Sequence, residues 1–188
     1  MPLDVVILGP PGAGKGTQAE RIAAEAGIPH INTGAILRAE RDAGTELGRA
    51  VEAVLARGDL VSDEIVIAVV RDRLAEDDTA RGFVLEGFPR TLPQAEALDA
   101  MLATLDRELS VVLEFQISEA LAFERLLKRG RKDDTPETIR HRIEVQRVPE
   151  ELVEYYRARG ILVGIHADRT IDEVFAEVED VLETAAAR

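Results

Sequence analysis

The segment Gly9-Pro10-Pro11-Gly12-Ala13-Gly14-Lys15-Gly16-Thr17 narrows the choice of fold more than any other stretch of the chain. It follows the apolar run Leu3–Leu8 and opens a helical pattern over residues 16–26. Strand, glycine-rich turn, lysine, hydroxyl and helix in that order are the context in which backbone N–H groups curl around a phosphate. The helix N-terminus adds its positive end. Lys15 is placed to reach the terminal phosphates of a nucleotide, and Thr17 to offer a hydroxyl to Mg2+. The strict pattern has Ser or Thr directly after the lysine, whereas here Gly16 intervenes. The competing reading is a plain glycine-rich turn between strand and helix. It leaves the agreement of spacing, lysine and hydroxyl without a cause.

The rest of the chain fits the same fold class. Apolar runs at 3–8, 28–31, 82–85, 110–115 and 161–165 are short, rich in Val, Ile and Leu, and do not alternate. Such runs suit strands buried on both faces of a parallel sheet. Helical patterns at 16–26, 46–56, 63–75, 93–105, 119–128, 136–147, 150–159 and 171–185 separate them. Strands alternating with helices predict a doubly wound α/β fold, with the ligand at the carboxyl ends of the strands. Residues 32–61 are too long for a plain crossover and read as a small helical insert, and residues 129–137 read as a short, polar, charged flap.

Charge and composition exclude several classes. The net charge of -13 repels phosphate polymers and argues against a general nucleic-acid binder. Without cysteine there is neither a disulfide nor a thiolate zinc site. No apolar run is long enough to cross a bilayer, and the N-terminus lacks the basic and apolar regions of a secretory signal. A cytoplasmic enzyme is the expectation. Such an acidic chain must gather its positive charge locally to hold a small anion, and Arg125, Arg129 and Arg131 show a gathering. Arg125 and Arg129 lie four residues apart on one predicted helix, so they share a face and repel unless an anion sits between them. The alternative is a solvated face paired with Glu124, Asp133 or Glu137.

Four segments together carry a family resemblance: residues 9–20, Asn32-Thr33-Gly34-Ala35-Ile36-Leu37-Arg38, Gly87-Phe88-Pro89-Arg90-Thr91-Leu92-Pro93-Gln94, and Arg129-Gly130-Arg131-Lys132-Asp133-Asp134. In this order they resemble the nucleoside monophosphate kinases, and among them the adenylate kinases with the short lid. The resemblance covers almost the whole chain. It implies a P-loop NTPase-type, doubly wound, five-stranded parallel sheet with a helical monophosphate-binding insert (32–61) and a short lid (129–137). It also implies reversible transfer from ATP to AMP, with Mg2+ accompanying ATP, in a monomer whose partners are ATP, AMP and ADP rather than nucleic acid or membrane. Gly12, Ala13, Gly14, Lys15, Gly16, Thr17, Arg125, Arg129 and Arg169 are then the expected ATP contacts. Thr33, Arg38, Asp59, Leu60, Val61, Gly87, Phe88, Pro89, Arg90, Gln94, Arg131 and Arg142 are the expected AMP contacts. Lys15, Arg90, Arg125, Arg131 and Arg142 are the expected catalytic cations, Thr17 and, through water, Glu86 the metal contacts. Thr33 could equally be the N-cap of a helix starting near Ala35. Asp133 and Asp134 are expected to form an ion pair between lid and core. No role falls to His30, His141 or His166.

The chain also departs from the family pattern. Ala35 and Glu86 stand where the family usually carries aspartates that hold water around Mg2+, which predicts a looser metal shell. Arg169 stands where a glycine is usual, and residues 145–149 lack the usual tyrosine and are one residue shorter. A related kinase with another acceptor, or a nucleotide-binding module without transfer, are the competing functions.

Overall fold

The computed structural model describes residues 2–131 and 134–186. Five strands, β1 (Leu3–Leu8), β2 (His30–Asn32), β3 (Gly82–Glu86), β4 (Val111–Gln116) and β5 (Leu162–His166), form one parallel sheet in the order β2-β3-β1-β4-β5. β1 is central. Val5 pairs in register with Val84 on one side and Val111 on the other.

Period-two alternation divides β1 between two cores. Val5 and Ile7 face a layer built on α1 (Lys15–Ala26) and α9 (Ile171–Ala186), with Ile22, Val174 and Val178 buried against them. Val6 and Leu8 face the opposite layer, built on α4 (Asp63–Leu74), α5 (Leu92–Ala103) and α8 (Glu150–Ala158), where Val70, Leu98 and Leu152 are buried. Both sets are almost inaccessible to water, which is why the run Val5–Leu8 is apolar instead of alternating. Each such buried aliphatic side chain is worth about 1.5–3 kcal/mol relative to leaving it exposed.

The long connection between β2 and β3 contains α2 (Thr33–Ala43) and α3 (Glu46–Arg57) before α4. The first of these helices is capped by Asn32, whose Oδ1 accepts from the N–H of Ala35 at 2.8 Å. Thr33 is therefore the first residue of α2 and not its cap. Only Thr33 and Leu37 of this helix are buried, so its apolar stripe is too thin for periodicity to delimit it. A short 3-10 turn, Asp77–Arg81, precedes β3. After β4, α6 (Glu119–Arg129) and α7 (Pro136–Val145) pack on each other through Leu126, Ile139 and Ile143. Lys132 and Asp133, named above in the flap, lie outside the described residues.

Candidate active site

Residues just beyond the carboxyl ends of β1, β2, β3 and β5 open onto one cleft of about 740 Å3. Its floor is the loop after β1. Gly12 takes φ 84°, and a Cβ there would lie 2.6 Å from the carbonyl oxygen of Ala122 in α6. Glycine is required by both conformation and space. The loop leads into α1 through Gly14, also at φ 84°, which supplies no side-chain cap. The first-turn N–H groups of α1 are thus left for an anion.

Lys15 sits at the head of α1, nearly buried, with Nζ donating to the carbonyl of Pro10 at 2.8 Å. Burial, together with the charges of Arg90 and Arg129, pulls its ammonium down to about 8, against the opposing charge of Glu86. A lysine so placed gains most from a phosphate that restores a counter-charge.

Glu86 ends β3 and turns toward β2. Its Oε2 accepts from Asn32 Nδ2 at 2.6 Å and meets His30 Nε2 at 3.1 Å. Burial pushes its carboxyl up, but the His30 hydrogen bond and the charges of Lys15, His30 and Arg90 outweigh that and hold it below the usual range. Asn32 therefore serves twice, capping α2 with its oxygen and orienting Glu86 with its nitrogen. Ala35 lies in the first turn of α2 but does not line the cleft.

The arginines converge from several elements. Arg125 in α6 donates to the carbonyls of Ala167 at 2.8 Å and Arg169 at 3.3 Å, which fixes its guanidinium beside the end of β5. Arg129, one turn on, and Arg142 of α7 share a single carboxylate. Asp134 receives Arg129 Nε at 2.9 Å, Arg129 Nη2 at 2.8 Å and Arg142 Nη1 at 2.8 Å, and it also accepts the backbone N–H of Arg131 at 3.1 Å. The Asp134 side chain is fully buried. Burial raises its carboxyl, but the bonds from Arg129 and Arg131 and the two guanidinium charges win and keep it ionised. The expected lid-to-core pair is thus, for Asp134, a brace that gathers cations from α6 and α7. Asp133 is outside the described residues.

On the opposite wall Arg90 is held by Gly87 O, which accepts from Nε at 2.9 Å, and by Gln146 Oε1, which accepts from Nη1 at 3.1 Å. Arg38 reaches the cleft from α2 and passes close over Gly34. Gln94 is buried. Its Oε1 accepts the backbone N–H of Arg90 at 2.7 Å, and its Nε2 donates to Asp63 at 2.8 Å. That fixes the amide orientation and leaves an N–H and a lone pair for a ligand.

All the ATP-side residues expected from the sequence line this cleft, as do Thr33, Arg38, Asp59, Leu60, Val61, Gly87, Arg90, Gln94, Arg131 and Arg142. Two do not. Phe88 is buried in the core between β3 and α5, and Pro89, joined to it by a cis peptide bond, lines a smaller adjoining recess. The cleft also contains residues to which the sequence analysis assigned no role. His30, Asn32 and Gln146 line it, and Asp63 fixes Gln94 from behind. Their one advance signal was the polar side chain of Asn32 at the end of an apolar run.

Comparison with known proteins agrees with this geometry. A sequence model of the family described as Adenylate kinase matches residues 7–161. The chain is 51% identical over 187 residues to an adenylate kinase of Thermobifida fusca, covering 97% of this chain and 99% of that one. It is 46% identical to an adenylate kinase of Methylobacterium radiotolerans, over 95% of each chain. To one of Caulobacter vibrioides it is 44% identical, over 98% of this chain and all of the other. A phosphate loop, a converging set of arginines and near full-length similarity at these levels lead to one conclusion: this chain belongs to the adenylate kinase family.

Proposed function

We propose that the chain transfers the terminal phosphoryl group of ATP to AMP, reversibly, giving two molecules of ADP. The observation that carries this reading is one continuous cleft lined by the phosphate loop, by Arg38 and Arg90, and by Arg129, Arg131 and Arg142. Two polyanions can meet only where several cations converge, and arginine's planar fork suits phosphate oxygens. Lys15 and the N–H groups of α1 take the donor phosphates. Arg38 and Arg90 hold the acceptor phosphate, while Arg125, Arg131 and Arg142 bear on the phosphoryl group in flight. An oxygen of the AMP phosphate attacks the terminal phosphorus of ATP, and ADP leaves with the bridging oxygen. The attacking oxygen is already an anion, so no general base is required, and rate comes from alignment and charge. The free N–H and lone pair of Gln94 match the N1 and amino edge of adenine. Residues 32–61 and the lid at 129–137 close over the substrates, which keeps water from the phosphoryl group.

The site suits a Mg2+ carried in on the nucleotide. Thr17 presents a hydroxyl and Glu86 an ionised carboxylate to the cleft. Among the described residues no three acidic or histidine side chains form a protein cage. Mg2+ keeps much of its water and needs few protein ligands beside phosphate oxygens. Thr17 would hold the ion directly and Glu86 through water, and the ion when bound neutralises phosphate charge.

Mixing ATP and Mg2+ with AMP, CMP, UMP or GMP in turn and following ADP tests the reading. Turnover should be confined to AMP, and Arg90→Ala should lower it by at least about two orders of magnitude, as for loss of about 3 kcal/mol of transition-state stabilisation. Equal turnover with CMP or UMP, or ADP formed without any monophosphate, would contradict it.

A further inference from the structure

We propose that Gln146 is a positioning residue that ties the acceptor insert to the acceptor-phosphate arginine, so that Arg90 is aimed only when residues 32–61 are docked. The proposal rests on the acceptor role given to Arg90 above.

Gln146 is the C-cap of α7, its N–H bonded to the carbonyl of Arg142 at 2.9 Å, so its backbone is fixed by the helix. Its side-chain amide then reaches in two directions. Oε1 accepts from Arg90 Nη1 at 3.1 Å, and Nε2 donates to the carbonyl of Gly58 at 2.8 Å. Those partners have opposite polarity, a cationic donor and a neutral acceptor. A carboxylate could serve only the first and an ammonium only the second, whereas a primary amide serves both. Gly58 closes α3, and the insert meets α7 closely there. A Cβ on Gly58 would lie 2.8 Å from Arg142 Cγ and 3.4 Å from Thr138 Cγ2. Thr138, Arg142 and Gln146 recur every four residues, so one stripe of α7 receives the turn after α3. The neighbouring Asp59 is gripped by His141 Nε2 at 2.6 Å.

The consequence for Arg90 is geometric. Gly87 O holds Nε and Gln146 Oε1 holds one N–H of Nη1, so two bonds fix the fork of a residue that lines the cleft. If the insert leaves, Gln146 loses the carbonyl that sets its amide orientation, and Arg90 loses its aim. ATP does not use this bridge, so its affinity should not sense it.

Gln146→Met keeps the length of the side chain and removes both hydrogen bonds, and Gln146→Ala is the second variant should the first not fold. Each should raise the KM for AMP about tenfold, the worth of a charge-assisted hydrogen bond, and leave the KM for ATP within about twofold. In the nucleotide-free protein, amide exchange across residues 46–61 should quicken while that of α1 stays as in the parent. Proportional changes in the two KM values, no change in either, or unaltered exchange in the insert would overturn the proposal. A parent that does not transfer to AMP at all would instead sink the functional reading, and exchange alone would then decide the tether.

Discussion

Lys15 carries a positive charge where the protein resists it. Burial brings its ammonium from 10.5 down to about 8, so below that pH the free protein bears a buried cation that Glu86 offsets only in part. Between about pH 8 and 10.5 the unfolded chain holds a proton that the folded one has released, so this lysine's contribution to stability improves as pH rises through that window. Binding has the opposite dependence. The donor phosphates need the charged form, so ATP affinity should fall as pH rises through about 8. Complex formation near pH 8.5 should then take up protons, measured by calorimetry in buffers of different ionisation enthalpy. Lys15→Met should abolish that uptake. Binding without uptake in the parent would show that Lys15 does not face the phosphates. Lys15, the glycines around it and the clustered arginines were legible because their chemistry is written in contiguous motifs. Asn32, Asp63 and Gln146 were not, because each acquires its role from a partner 54, 31 or 88 residues away. His141 read as ordinary for the same reason, since its partner Asp59 is 82 residues distant.

Elements of the fold show how the sheet handles an acidic residue buried in its central strand. Asp4 in β1 is almost inaccessible, and it pairs with Arg107 from the loop before β4, whose Nε donates at 2.9 Å. Burial pushes the Asp4 carboxyl up, while the hydrogen bond and charge of Arg107 oppose that. The guanidinium also lies over the ring of Phe83 in β3, 5.5 Å from its centre. Arg107→Met should therefore cost about 3–5 kcal/mol in denaturant unfolding at neutral pH, by leaving a buried charge alone. A carboxyl whose folded pKa is raised stabilises least once ionised, so the loss should shrink as pH is lowered toward the ordinary carboxylate range. Adding Asp4→Asn should recover much of it. A small, pH-independent loss would show that the pair is not coupled. At this scale the strands were the most legible feature, since burial on both faces enriches them in Val, Ile and Leu without alternation. α3 stands where a helix was expected at 46–56, whereas α2 was the least legible, because it buries only Thr33 and Leu37. Their boundaries come from Asn32 and Thr45 as caps, which local pattern does not distinguish from loop residues.

For the molecule as a whole, charge is divided between surface and cleft. The chain carries a net -13, yet Lys15, Arg90, Arg125, Arg129, Arg131 and Arg142 face one space. A cleft of one sign within a surface of the other focuses the field, drawing small anions in while repelling extended ones. Asp134 and Glu86 keep the cations ordered before any ligand arrives, so little reorganisation accompanies the reaction. Of the two metal-side departures, Ala35 stays outside the cleft lining and Glu86 lies within it beside Lys15 and Arg90, and the arginine set is whole. A cleft built in this way passes a phosphoryl group directly from one nucleotide to the other. ATP labelled in its terminal phosphate, incubated with AMP and Mg2+ and resolved over time, measures that passage. The label should appear in the second phosphate of the ADP made from AMP, with next to none in inorganic phosphate. Label released chiefly as inorganic phosphate, or retained in ATP whether or not AMP is present, would contradict the account.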